Sequence, residues 1–316
     1  MLALLSALSS SGARAEDGAA QPSQHKRPRF ESEAHAGTLE VRVRRPDGRL
    51  VWSLKKDDFV VEEGGVVQPV IMFEPPRAFP VSLAILLDGS ATVGEKLFSD
   101  NRELVFRLIH LLEPTDDIIL GFFDNRQVVF LTDLTSDRKP LVEALWSLSP
   151  NGRPGRWSRL GQIAAGGIQL GNDSLTGQAV DQSLLRLKAA DHTNKLVLVL
   201  SSGFGDIGPG TLDHLDLAGA RLFAVVSGKQ GFADTINLGG NRKSGLAVVR
   251  STGGLDFACD RVLGQITELR DAIKKYYLLA YATEKASDKE LRISVRNHPE
   301  YEVSRVPRIA STNTFY

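Results

Sequence analysis

Asp88, Ser90 and Thr92 stand at alternate positions at the end of an apolar run beginning at Val81. One carboxylate and two hydroxyls offer oxygen donors and nothing softer. Hard cations prefer oxygen, and Mg2+ in particular keeps part of its water shell. The chemistry first suggested is therefore a divalent-metal corner, Mg2+ or Mn2+, completed by other loops. The element that must hold it is the run itself, Val81-Ser-Leu-Ala-Ile-Leu-Leu. Such a run suits a strand buried on both faces in the middle of a parallel sheet. The polar triplet then sits at its carboxyl end, the edge at which open α/β sheets bind ligands.

The surrounding chain predicts that sheet. Helical spacing of Leu97, Leu104, Val105, Leu108, Leu111 and Leu112 predicts a helix over 95–112, stopped by Pro114. Further strands are expected at 117–123, 128–131, 196–200, 222–226 and 256–259, with helices at 136–148, from 179 through 187, at 209–218, 244–251 and 262–275. Alternation of this kind predicts an α/β fold, a doubly wound and mostly parallel sheet with helices on both faces. Before it, Leu39, Val41 and Val43 alternate with Glu40, Arg42 and Arg44, the period-two pattern of a half-exposed strand. Short strands at 50–54, 59–62 and 66–73 follow, closed by Pro75 and Pro76. Residues 276–282 and 290–295 read as an antiparallel pair that rejoins them. The expected division is a leader and linker at 1–36, a small β module at 37–77, the large domain at 78–275, C-terminal strands at 276–306 that join the β module, and a tail at 307–316.

Residues 149–173 break the rhythm with glycines, prolines and the cations Arg153, Arg156 and Arg159. A loop of that length is either a cationic flap that selects an acidic partner or a tolerated insertion.

Charge narrows the function classes. With 38 basic against 38 acidic residues the formal net charge is zero, which disfavours a nucleic-acid partner. A single cysteine, Cys259, excludes an intramolecular disulfide framework and a multi-cysteine zinc site, and it is expected in the core. Gly203-x-Gly205-x-x-Gly208 lacks the acidic residue a ribose requires, and Gly89-x4-Gly94 is followed by Glu95-Lys96, not by the lysine and hydroxyl of a phosphate loop. None of the six histidines falls in a metal or triad spacing. Met1-Leu-Ala-Leu-Leu-Ser-Ala-Leu followed by Ala13-Arg14-Ala15 reads as a secretory signal. Export to the periplasm, the cell envelope or the medium is expected, and a cytoplasmic location if that segment is not a signal. No later stretch approaches the ~20 apolar residues of a spanning helix.

Asp88-Gly-Ser90-Ala-Thr92, Ser174-Leu-Thr-Gly-Gln-Ala179 and Ser201-Ser202-Gly203 resemble, in order and strand-end placement, the three loops of a von Willebrand factor type A domain. Asp47-Gly-Arg, Asp57-Asp-Phe59, Leu269-Arg-Asp and Tyr276-Tyr-Leu-Leu-Ala-Tyr281 resemble more narrowly the von Willebrand A-related proteins of acidobacteria. The resemblance covers residues 38–305. It implies a Rossmann-like sheet, a non-enzymatic role in binding protein, and a metal-ion-dependent adhesion site formed by Asp88, Ser90, Thr92, Ser174 and Ser202. Ser202 stands where the family has aspartate. Losing one carboxylate 4 to 5 Å from a divalent ion forfeits roughly 2 kcal/mol at water's dielectric and more at a protein surface, so the site is expected to be degenerate and to hold Mg2+ or Mn2+ weakly. Asp173 and Asp206 are the acids placed to compensate. The implied partner is a protein that supplies an acidic side chain to the ion. Two alternatives stand beside this reading: a metal-free scaffold that binds through residues 149–173, and a nucleotide-binding or hydrolytic enzyme on the same sheet.

Overall fold

The computed structural model describes residues 35–90, 93–148, 175–202, 204, 207, 209–226, 235–238, 241–283 and 290–305. In chain order the first elements are β1 (His35–Arg44), β2 (Phe59–Glu63), β3 (Val66–Gln68), β4 (Val70–Ala78), β5 (Ser82–Asp88), α1 (Gly94–Leu111), β6 (Asp117–Phe123), β7 (Val128–Phe130) and α2 (Arg138–Ser147). They are followed by α3 (Thr176–Leu187), β8 (Lys195–Ser201), α4 (Pro209–Leu217), β9 (Ala220–Val226), β10 (Thr235–Leu238), β11 (Asn241–Ser244), α5 (Gly245–Ser251) and β12 (Asp256–Ala258). The last are α6 (Cys259–Gly264), α7 (Ile266–Lys274), β13 (Lys275–Thr283), β14 (Leu291–Val295) and β15 (Glu302–Arg305).

Six strands form the large sheet in the order β12-β9-β8-β5-β6-β7, parallel except for the edge strand β7. Every residue of β5 is buried, as the unbroken apolar run required. Its alternate residues face different partners. Leu83, Ile85 and Leu87 belong to one core with Phe98, Leu104 and Leu108 of α1 and Leu269 and Ile273 of α7. Ala84 and Leu86 belong to another with Ala179, Val180 and Leu184 of α3 and Val248 and Val249 of α5.

The smaller sheets are antiparallel. One has the order β15-β1-β13-β4 and another β14-β2-β3, while β10 and β11 form a separate hairpin. Leu39, Val41 and Val43 of β1 share a core with Phe59, Val61, Tyr277 and Leu279, so the apolar half of the period-two pattern faces inward as read.

Two of its three polar residues do not face water. Arg42 and Arg44 are buried, at 1% and 7% exposure. Burial is tolerated because each guanidinium lies over aromatic rings, Arg42 over Tyr276 and Phe223 and Arg44 over Phe257, and each donates to a backbone carbonyl, of Ala272 and Asp256 respectively.

Other local expectations are corrected. Residues 50–54 form no strand beyond one bridge from Leu50 to Arg44. The run at 66–73 is two strands, and the second passes through Pro75 and Pro76 instead of ending there. Tyr276 pairs with Arg77 and Leu278 with Glu74, so both prolines oppose Tyr277 in a bulge on an edge strand, where missing amide donors cost no ladder bond. The helix expected at 262–275 breaks at Gln265 into α6 and α7. β13 and β14 do not pair with each other: β13 lies between β1 and β4, and β14 pairs with β2. Among the described residues no helix is long and apolar enough to cross a membrane.

Candidate functional site at the carboxyl edge of the sheet

Register builds this site. β5 and β8 run parallel with Ser82 opposite Lys195 and Leu87 opposite Leu200, so Asp88 and Ser201 close their strands at the same level. Adjacent strands lie about 4.8 Å apart, and residues at one level on one face point the same way. The Ser201 hydroxyl accordingly donates to Asp88 Oδ2 at 2.5 Å. The other carboxylate oxygen accepts the Ser90 amide at 2.8 Å, in the tight turn that also sends the Gly89 amide to the carbonyl of Phe123 at 2.8 Å.

Asp88 is 3% exposed. Burial pushes its carboxyl above the usual range, the hydrogen bonds from Ser201 and Ser90 pull it down, and the charge of Asp124 adds to the upward push. Asp124 follows β6, the strand beside β5. Its own Oδ1 caps the next turn by accepting the amides of Arg126 and Gln127.

Of the residues implied as ligands, the structure brings Asp88 and Ser90 together and leaves Ser90 and Ser202 half-buried beside the strand ends. Thr92, Ser174, Asp173, Asp206 and residues 149–173 lie outside the described residues. Among the described residues no group of three His, Cys, Asp or Glu side chains converges as a metal cluster. A hard cation fits this donor set in kind, since the Asp88 carboxylate keeps acceptor capacity beyond its three hydrogen bonds from Ser201 and Ser90. In charge the set falls short, with one buried carboxylate and Asp124 nearby.

Sequence reasoning missed Ser201 and Asp124. The signal for Ser201 was present: two apolar runs of equal length each end in a polar residue, and parallel pairing sets those residues side by side. Asp124 was read as a turn residue, which it is. Its place beside Asp88 follows from the order of strands and not from local sequence.

A second candidate lies elsewhere. Between α3 and α4 is a cavity of about 340 Å3 lined by Leu184, Leu187, Lys195, Leu217 and Asp181 with His214. Asp181 is engaged by the Thr211 hydroxyl at 3.2 Å and by His214 Nδ1 at 3.1 Å. Lys195 opens β8, so this cavity reaches the amino end of the sheet and not the Asp88 edge.

No protein-family model matches this sequence, and neither does any curated protein. Solved structures are similar to it at low identity. BatB from Bacteroides thetaiotaomicron shares 13% identity at a TM-score of 0.43, over 61% of this chain and 98% of that one. A von Willebrand factor type A protein from Catenulispora acidiphila shares 10% at 0.44, over 88% of this chain and 75% of that one. An aerotolerance-related membrane protein from Bacteroides fragilis shares 15% at 0.42, over 60% and 98%. The largely parallel six-stranded sheet rests on this chain's own strand pairing.

Proposed function

We propose that this chain is a non-enzymatic protein-interaction module that works through the carboxyl edge of a doubly wound sheet. Two features support the doubly wound reading: the strand order, and the sorting of β5 side chains between two sets of helices. The observation that carries the functional reading is Asp88, a buried carboxyl group at the strand edge whose described partners are the hydroxyls of Ser201 and Ser90 and the Ser90 amide. A buried acid with neutral donors and spare lone pairs is poised to accept a cation. In this reading Asp88 and Ser90, with Thr92, Ser174 and Ser202, hold Mg2+ or Mn2+ weakly, with Asp173 or Asp206 in support. An acidic side chain of a partner protein completes the shell, and the module acts outside the cytoplasm.

Calorimetric titration of the full chain with Mg2+ and Mn2+ tests the metal. Binding heat is expected at millimolar metal, lost in Asp88→Ala and strengthened more than tenfold in Ser202→Asp. Wild type that gives neither heat nor thermal stabilisation, while Ser202→Asp gives both, would sink the ion and leave a metal-free edge. One observation favours that second outcome: the Ser201 hydroxyl already holds Asp88 Oδ2.

A further inference from the structure

The opposite end of the sheet buries two guanidiniums that face one carboxylate among the described residues. Arg42 and Arg221 are each 1% exposed. Their guanidinium carbons lie 5.2 Å and 5.4 Å from the centroid of the same ring, Tyr276. Phe79 is stacked on that ring at 4.3 Å and 8°, so the two cations share the side it leaves open. Phe223 bounds the Arg42 side at 5.5 Å.

Their acceptors are few. Arg42 Nε donates to the carbonyl of Ala272 at 2.7 Å. Arg221 Nη2 donates to Asn194 Oδ1 at 2.6 Å and stands 2.8 Å from Glu40 Oε2. Among the described residues Arg42 Nη2, Arg221 Nε and Arg221 Nη1 meet no acceptor, and all three are buried. Among the described residues Glu40 is the carboxylate that faces these two guanidiniums, and Asp116 and Glu113 pair with Lys274. A guanidinium cannot shed its proton at ordinary pH. One positive charge and three donors are therefore left over in a desolvated place, and unsatisfied buried groups of this kind mark a bound water or ion.

We propose that Arg42 and Arg221 together bind a small monovalent inorganic anion of the chloride class at the amino end of the sheet. Water would satisfy the donors and leave the charge uncompensated, which a low-dielectric site penalises. A divalent oxyanion would overcompensate it and demand more donors than these walls of Tyr276 and Phe223 offer.

Thermal and denaturant unfolding of the full chain in sodium chloride, sodium bromide and sodium gluconate at equal ionic strength tests the site. Chloride and bromide are expected to stabilise and gluconate not. Once chloride exceeds its dissociation constant, each tenfold increase should raise the folding constant about tenfold. Arg42→Gln, which removes the surplus charge, should abolish that difference between salts. A crystal grown or soaked in bromide should show an anomalous peak in contact with Arg42 Nη2 and the Arg221 guanidinium, and this measurement decides the matter if Arg42→Gln does not fold. Coincident chloride and gluconate curves, an undiminished chloride effect in Arg42→Gln, or bromide peaks only elsewhere would each overturn the proposal.

Discussion

At the amino ends of β5, β6, β8 and β9 buried acids meet buried cations, whereas at the carboxyl ends the buried acid Asp88 meets two hydroxyls and an amide. The amino end is tied tightly. Lys274 Nζ lies 2.9 Å and 2.7 Å from the two oxygens of Asp116, which also accept the amides of Val81 and Glu113. Arg221 and Arg42 sit beside this pair under the small sheet. At the carboxyl end Asp88 is held by hydrogen bonds from Ser201 and Ser90, and among the described residues no such counter-charge meets it. Fully paired buried charges fix an arrangement, and removing one partner is costly. An acid left with neutral donors contributes little to folding and remains available to a ligand. The Asp116–Lys274 pair reads as architecture and Asp88 as a site.

The largest break in this contrast is expected from Asp116→Ala. It leaves the buried ammonium of Lys274 with the exposed Glu113 as its one remaining described acid and two backbone amides without their acceptor, and denaturant unfolding should show a loss of about 3 kcal/mol. Alkaline titration comes next. Burial raises Tyr276 and Tyr277 to about 12, against an unfolded value near 10. Because the folded values are the higher, the folded state retains protons that the unfolded state has lost between those limits. Stability is then intact below about pH 10 and falls as pH rises towards 12, by on the order of 2 kcal/mol per tyrosine. Denaturation midpoints measured across that range should show the fall, and a flat profile would mean that the phenols are hydrated. The smallest folding effect is expected at the other end. Asp88→Asn keeps the shape of the side chain and removes a charge that burial disfavours, so its stability should change by less than about 1 kcal/mol while the metal heat disappears. The raised value of Asp88 has the same sign as the tyrosines: its contribution to stability is lost as pH rises through the folded value, and Asp88→Asn should abolish that component. A loss of several kcal/mol in Asp88→Asn would move Asp88 to the architectural side of the comparison.

Much of this was legible in the sequence where the signal is local. The apolar runs that became β5, β8 and β9 gave their strands, and the spacing of Leu104, Val105 and Leu108 gave α1. What local pattern cannot register is the surface lying across from a residue. Arg42 and Arg44 alternate as surface residues should, yet their outward face is covered by Phe223, Tyr276 and Phe257 from distant segments. The hydroxyl that reaches Asp88 belongs to Ser201, separated from it by 113 positions and brought to it by parallel register. The break at Gln265 follows Gly264, a helix punctuator that the core-facing spacing of Leu263, Ile266 and Leu269 obscured, and β15 is a strand of four residues.

Pro75 and Pro76 carry a consequence for solubility. β4 is the rim of its sheet, and Ile71 and Met72 on it are 53% and 38% exposed. An open, oily rim of this kind is a template on which a second molecule adds its own strand. Two consecutive residues without an amide hydrogen leave such an incoming strand nothing to accept from over that stretch. The diproline shortens the adhesive length of β4 and guards the fold against growing into a fibre.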